Sequence, residues 1–240
     1  REVTLTEASR LYSRSLSDAF SQVHAATRDF VSADEMRSLT IYAPITFTLH
    51  WLTKRLASFH ALHPQLGIRI TSEGFAPTSF AASEFDVVLR LAGASSGLEA
   101  IHLFDLELVP VCSPLYLEQS GVKHPSDLLA HPLLLSERRS ADWQNWLKTA
   151  RVPAQGPLNT LSFHSSALAY QAAADGCGFA IAMKQLVTDE LANGTLVTPF
   201  DLAAIDGTAF HAVFPTGMDN DPVVRSFLDW IIRETGSSDR

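Results

Sequence analysis

Gly93-Ala94-Ser95-Ser96-Gly97 has the G-x-S-x-G spacing of a nucleophile elbow, a serine presented on a sharp strand-to-helix turn. The residues that follow, Leu98 to Phe104, carry no helical stripe. The helix this chemistry needs is missing, and a loop of small residues is the simpler reading. His60 and His63 stand three apart on one predicted helix, but no Asp, Glu or Cys sits beside them at ligand spacing, so no metal site is expected. Gly176-Cys177-Gly178 lacks the third glycine of a dinucleotide fingerprint and ends a helix instead of opening one. There is no P-loop, no Cys-x-x-Cys and no carboxylate pair in an acid–base setting. The chain reads as a binding protein with no catalytic residue and no cofactor, not as an enzyme.

Two polar clusters remain. Thr46-Phe47-Thr48 follows the first predicted strand and opens a helix, and His164-Ser165-Ser166 stands in the same position further along. The first N–H groups of a helix have no intrahelical partner and carry the positive end of its dipole, so hydroxyls placed there suit an anion. In open parallel sheets the ligand crevice lies at the carboxyl ends of the strands, where both clusters fall. Plain N-capping is the competing use of the same residues.

The elements that would position them follow from periodicity. Tyr12, Leu16, Ala19, Val23, Ala26 and Phe30 step by four and three with no Gly or Pro between Leu5 and Asp34, an a/d stripe suited to pairing with a second copy. Then Ser38–Ala43 reads as a strand, Phe47–Leu62 as a helix, Ile68–Thr71 and Phe85–Arg90 as strands. One strand over Leu106–Cys112 leads to a second α/β unit. It has a short helix opened by Ser126-Asp127, strands at 132–135, 158–163 and 179–182, and helices at 142–147 and 165–174. Phe210–Phe214 is one more strand, and an amphipathic helix over 223–232 closes the chain. Parallel strands with helical crossovers are expected. Two strand passages, near Val111 and Ala212, suit hinged lobes with a cleft for a small ligand.

Composition narrows the class. The 240 residues are 46% apolar and 18% charged, ordinary for a globular protein. With 26 acidic against 18 basic side chains the net charge is −8, which gives no general attraction for nucleic acid or anionic membrane. No run of about 18 apolar residues occurs, so no membrane span is expected. Two distant cysteines, Cys112 and Cys177, form no disulfide framework and read as small buried residues of a reduced compartment. Asn193-Gly194 reads as a turn. The opening residues lack a signal peptide's charged and apolar regions, and the absence of an initiator Met suggests a fragment.

Taken in order, several segments resemble the LysR-type transcriptional regulators. Val3-Thr4-Leu5-Thr6-Glu7-Ala8-Ser9 is similar to that family's junction between wing and linker helix. His50-Trp51-Leu52, Leu56-x-x-Phe59 and His63-Pro64 resemble its first effector-domain helix, and Phe85–Arg90 its D-v-x-x-R strand. Val109-Pro110-Val111-Cys112-Ser113-Pro114, Asp142-Trp143-x-x-Trp146 and Ala172-Ala173-x-x-Gly176-x-Gly178-x-Ala180 fit as well. The crossover and Asp142-Trp143 are most similar to the branch of glycine-cleavage activators and β-lactamase-gene regulators. Leu91-Ala92 departs from that branch, which often has Tyr-Gly there.

The resemblance implies an α/β fold of two Rossmann-like subdomains of periplasmic-binding-protein type, joined by two crossover strands and preceded by a long linker helix. Residues 1–34 become the linker, with Tyr12, Leu16, Val23 and Phe30 facing a partner. Residues 35–112 with 213–240 become subdomain I, and 113–212 subdomain II. It further implies a small-molecule effector in the inter-lobe cleft, self-association as dimer or tetramer, no membrane partner and a cytoplasmic location. Promoter DNA is expected to be reached only through a winged helix-turn-helix that this sequence lacks. The expected cleft residues are Thr46, Phe47 and Thr48 from lobe one, and Ser136, His164, Ser165 and Phe210 from lobe two or the strand leaving it. Thr46 and Ser165 supply hydroxyls beside helix amides, suiting a carboxylate, and Phe47 and Phe210 supply apolar walls. The alternative is a periplasmic-type solute-binding protein, which shares the fold logic but has no use for the heptad helix.

Overall fold

The computed structural model describes Tyr12, residues 38–72, 85–93 and 97–153, Gly156 and residues 158–236. The expected linker helix, with Leu16, Val23 and Phe30, lies outside the described residues except for Tyr12, which is helical and exposed. Ser95 of the G-x-S-x-G segment lies outside them too.

The strands are β1 (Ser38–Tyr42), β2 (Gly67–Thr71), β3 (Val87–Arg90), β4 (Leu98–Asp105), β5 (Leu108–Val111), β6 (Leu133–Ser136), β7 (Thr160–Phe163), β8 (Phe179–Met183) and β9 (Ala209–Pro215). The helices are α1 (Ile45–Phe47), running through a π turn (Thr48–Leu52) into α2 (Thr53–Leu62), then α3 (Pro114–Ser120), α4 (Asp142–Thr149), α5 (Ser166–Ala174), α6 (Thr188–Ala192) and α7 (Pro222–Thr235). The strands form two sheets, a five-stranded one in the order β2-β1-β3-β9-β4 and a four-stranded one in the order β5-β8-β6-β7.

The chain divides into two compact units, one of residues 1–43, 58–102 and 211–240, the other of 44–57 and 103–210. In the first unit β1 pairs parallel with β2 and β3, and β3 antiparallel with β9. Leu39 and Ile41 of β1 are buried, and Asp86 ties the strands by accepting the Thr40 amide at 2.7 Å. Phe59 of α2 packs against Phe227 and Trp230 of α7, its ring 5.4 and 5.3 Å from theirs. In the second unit β6 runs parallel to both β7 and β8, and β5 closes the sheet antiparallel to β8. Both tryptophans of α4 are buried, and their indole N–H groups donate to the carbonyls of Leu134 and Leu202 at 3.1 and 3.0 Å. Each unpaired indole would otherwise cost a buried donor.

Three differences from expectation have physical causes. Leu98–Asp105 is a strand, so two strands stand where one was read. Five of its eight residues are neither clearly buried nor clearly exposed, and the sequence shows no alternation to mark it. The expected lobe boundaries at 112/113 and 212/213 differ from those of the compact units, which also place residues 44–57 with 103–210. Contacts of Thr46 and Phe47 with later residues account for the latter. Finally, Cys112 is buried, its thiol pushed up to about 12 by desolvation, whereas Cys177 is exposed and is no core residue. Among the described residues no helix is long and apolar enough to cross a membrane.

Candidate functional site

The parallel register of β6 and β7 sets Ser136 beside Phe163, so the two strands end side by side. Beyond β6 comes a 3-10 turn, Glu137–Arg139; beyond β7 come His164, Ser165 and then α5. Helix α5 is Ala-rich, and its small buried face of Ala167, Ala169, Ala172 and Ala173 lets it lie close on the sheet. Tyr170 fixes its depth by accepting the Met183 amide on its phenolic oxygen at 3.0 Å.

The start of α5 is unusual. Ser165 stands at the N-cap with φ −134° and ψ 156°, the extended geometry a cap requires, yet its buried hydroxyl makes no capping bond. The amide of Ala167 instead donates to Oγ1 of Thr46 at 3.1 Å in a buried contact. Thr46 does not cap its own helix, whose N-cap is Pro44. Its position is set by Phe47, whose ring lies 4.8 Å from that of Phe210, 5.0 Å from Trp51 and 6.2 Å from Phe104. The π turn follows, closed by the Thr53 amide donating to the Thr48 carbonyl. Such turns recur at functional sites. His50 on this turn lies edge-on to Tyr170 at 5.3 Å and bonds Glu190 through Nδ1 at 3.0 Å, while Lys54 reaches Glu190 at 2.8 Å and Asp189 at 3.2 Å. Burial works to raise the Glu190 carboxyl, but the bonds from Lys54 and His50 outweigh it and hold it below the usual range.

Around this helix start stand further polar groups. The Ser136 hydroxyl is buried with no hydrogen-bond partner among the described residues. Nη2 of Arg138 lies 2.9 Å from Nε2 of His164, whose Nδ1 lies 3.4 Å from Glu137. Behind the turn, Arg139 donates Nε to Asp142 at 2.6 Å and lies 3.6 Å from Asp206. Desolvation raises the Asp142 carboxyl against the pull of Arg139, so this pair anchors the turn at some cost.

All the expected cleft residues, Thr46, Phe47, Thr48, Ser136, His164, Ser165 and Phe210, fall in the unit of residues 44–57 and 103–210, not one group in each lobe. Thr46, Thr48, Ser136 and Ser165 are buried, and Phe47 and Phe210 form one aromatic cluster. His164 is mostly exposed. Arg138 and the Thr46–Ala167 bond were not anticipated. Arg138 carries a recoverable signal, a cation two residues past the end of a parallel strand; the bond joins residues 121 apart and carries none. Hydroxyls, helix amides and one guanidinium make a setting for a small anion. Among the described residues no group of three or more His, Cys, Asp or Glu could hold a metal ion.

Comparison with known proteins agrees with this architecture. The family model described as the LysR substrate binding domain matches residues 32–236. The glycine cleavage system transcriptional activator of Escherichia coli K12 is 31% identical over 243 aligned positions, covering 99% of this chain and 78% of the activator. The transcriptional activator AmpR of Pseudomonas aeruginosa is 33% identical over 187 positions, 77% of this chain and 62% of that protein. Among solved structures, the AmpR effector domain from Pseudomonas aeruginosa superposes with a TM-score of 0.71 at 30% identity, over 83% of this chain and 96% of that one. CrgA, a LysR-type regulator from Neisseria meningitidis, gives 0.68 at 26% identity over 99% of this chain and 82% of its own.

Proposed function

From the premise that the chain belongs to the LysR substrate-binding-domain family, we propose that it is the effector-sensing and oligomerisation module of a transcriptional regulator, and that its effector is a small carboxylate-bearing metabolite. Its relatives are transcriptional regulators, not enzymes, and they favour this reading over a periplasmic solute-binding protein.

One observation carries the site assignment. The first turn of α5 is left open by its own N-cap serine and is met instead by the hydroxyl of Thr46, with the unpartnered hydroxyl of Ser136 close by in the register. Thr46 Oγ1 accepts from Ala167, so its own O–H remains to donate. A carboxylate bonded there binds the folded state alone and stabilises it by mass action. A panel of short carboxylic acids screened by thermal shift should raise the melting temperature of the wild type for at least one acid. Ser165→Ala should lose most of that rise. An equal rise in both proteins places the effector elsewhere.

The linker helix and the DNA partner belong to the same proposal. Residues 1–34 pair two copies through Tyr12, Leu16, Val23 and Phe30, and deleting them shifts the protein toward monomer in solution. An unchanged oligomer mass contradicts this. The isolated chain, at net charge −8, makes no sequence-specific complex with promoter DNA at physiological salt. A salt-resistant, operator-specific gel shift from these 240 residues overturns that.

A further inference from the structure

Helix α5 rests on its sheet through small side chains. Its buried residues are Ser166, Ala167, Ala169, Tyr170, Ala172 and Ala173, so Tyr170 is the one large side chain on that face. Side-chain ridges set into grooves are what hold a packed helix against sliding along its axis, and an alanine face has only shallow ridges. The phenolic oxygen of Tyr170 supplies the missing stop. It accepts the Met183 amide, at the end of β8, at 3.0 Å, and it is hydrogen-bonded to the hydroxyl of Ser166, the first residue of the same helix. Burial holds the phenol proton far above the ordinary tyrosine range, so the group stays neutral. The ring also meets His50 of the π turn edge-on at 5.3 Å, in the same segment whose Thr46 receives the Ala167 amide. The two neighbouring serines at the helix start are thus used differently: Ser166 is engaged by Tyr170, and Ser165 caps nothing.

We infer that Tyr170 is a positioning residue for the anion site: its hydroxyl fixes the height of α5 on the sheet, and with it the amides of Ser166 and Ala167, so that the first turn is set for a carboxylate before one arrives. Tyr170 does not touch the ligand; it acts through Ser166 and through the end of β8. An anion that meets fixed amides binds without first ordering them. A helix start free to slide must be stopped as the anion binds, and affinity falls by that ordering cost. This rests on the effector-site reading above and adds to it the residue that sets its affinity from behind.

The test uses the full chain with acetate as probe, at a temperature where every variant compared is folded. Binding is read from the amide NMR signals of Ser166 and Ala167. Tyr170→Phe keeps the ring and removes the hydroxyl, and it should bind acetate roughly fivefold more weakly than wild type. Ser166→Ala breaks the link to the first turn and keeps the Met183 bond, and it should weaken acetate by an equal or smaller factor. The double variant should bind no more weakly than Tyr170→Phe, because both changes cut one link. A purely structural tyrosine would lower the melting temperature and leave the affinity of the folded protein unchanged. Where Tyr170→Phe does not fold, Ser166→Ala carries the test alone. Wild-type affinity in either folded single variant, or losses that multiply in the double variant, overturns the proposal and leaves the site standing. No shift of either amide with acetate in the wild type overturns the site reading, and the proposal with it.

Discussion

Helices α7 and α5 both bury an apolar face, yet they begin in opposite ways. Helix α7 is closed by its own neighbours. Asp221 accepts the amides of Val223 and Val224 at 2.9 and 3.2 Å, Pro222 opens the helix, and Gly236 at φ 66° ends it. Helix α3 repeats the plan with Ser113, Pro114 and Gly121. Helix α5 has a suitable N-cap residue in a suitable conformation, and that residue does not cap. Its second amide is met by a side chain 121 positions away. A locally capped helix has satisfied its orphan donors before any ligand arrives. A helix capped from afar couples its own start to another segment, and its uncommitted groups remain available to a bound anion.

The contrast can be attacked at several points. The largest effect is expected at the other end of α5, where the chain turns back into β8. A Cβ on Gly178, at φ +151°, would lie 2.3 Å from the Pro132 carbonyl oxygen, which already accepts the Phe179 amide. Gly178→Ala should destabilise the fold by about 3 kcal/mol or more in urea unfolding. Near-neutral behaviour would mean that this end of α5 is as open as its start. Next comes Thr46→Val, which strands the buried Ala167 amide at a cost of about 1–3 kcal/mol and should speed hydrogen exchange at Ala167. Exchange no faster than in the wild type would remove Thr46 as the cap. Asp221→Ala should cost about 1 kcal/mol while leaving the effector-induced thermal shift intact; loss of that shift would show that the two helix starts do not differ in role. The smallest stability effect belongs to Ser165→Ala, within about 0.5 kcal/mol, because no capping bond is lost. A cost matching that of Asp221→Ala would erase the contrast.

The same contrast explains what could be read from the residues alone. Helix α7 announces itself with Asp-Pro at its start, a clean apolar stripe and Gly after its end, and every one of those signals is local. β1, β3, β6 and β8 are short apolar runs and were legible for the same reason. β4 was not, because its neighbours cover both faces partially and leave no alternation in Leu98–Asp105. At the site, Thr46 and Ser165 were findable as hydroxyls at strand-to-helix junctions. That Thr46 serves α5 instead of α1 depends on the aromatic packing of Phe47 on Phe104 and Phe210, which no nearby residue encodes. Arg138 was hidden beside Arg139: two adjacent arginines look alike in sequence, but one is anchored to Asp142 and the other reaches His164.

The most direct test of the central claim is a crystal structure of this chain with whichever carboxylic acid raises its melting temperature. The account predicts the carboxylate at the start of α5, within hydrogen-bond distance of the first-turn amides and of the Ser165 or Ser136 hydroxyl. A ligand seated away from α5, with the Ser165 hydroxyl still capping nothing and the Ser136 hydroxyl still without a partner, would contradict it.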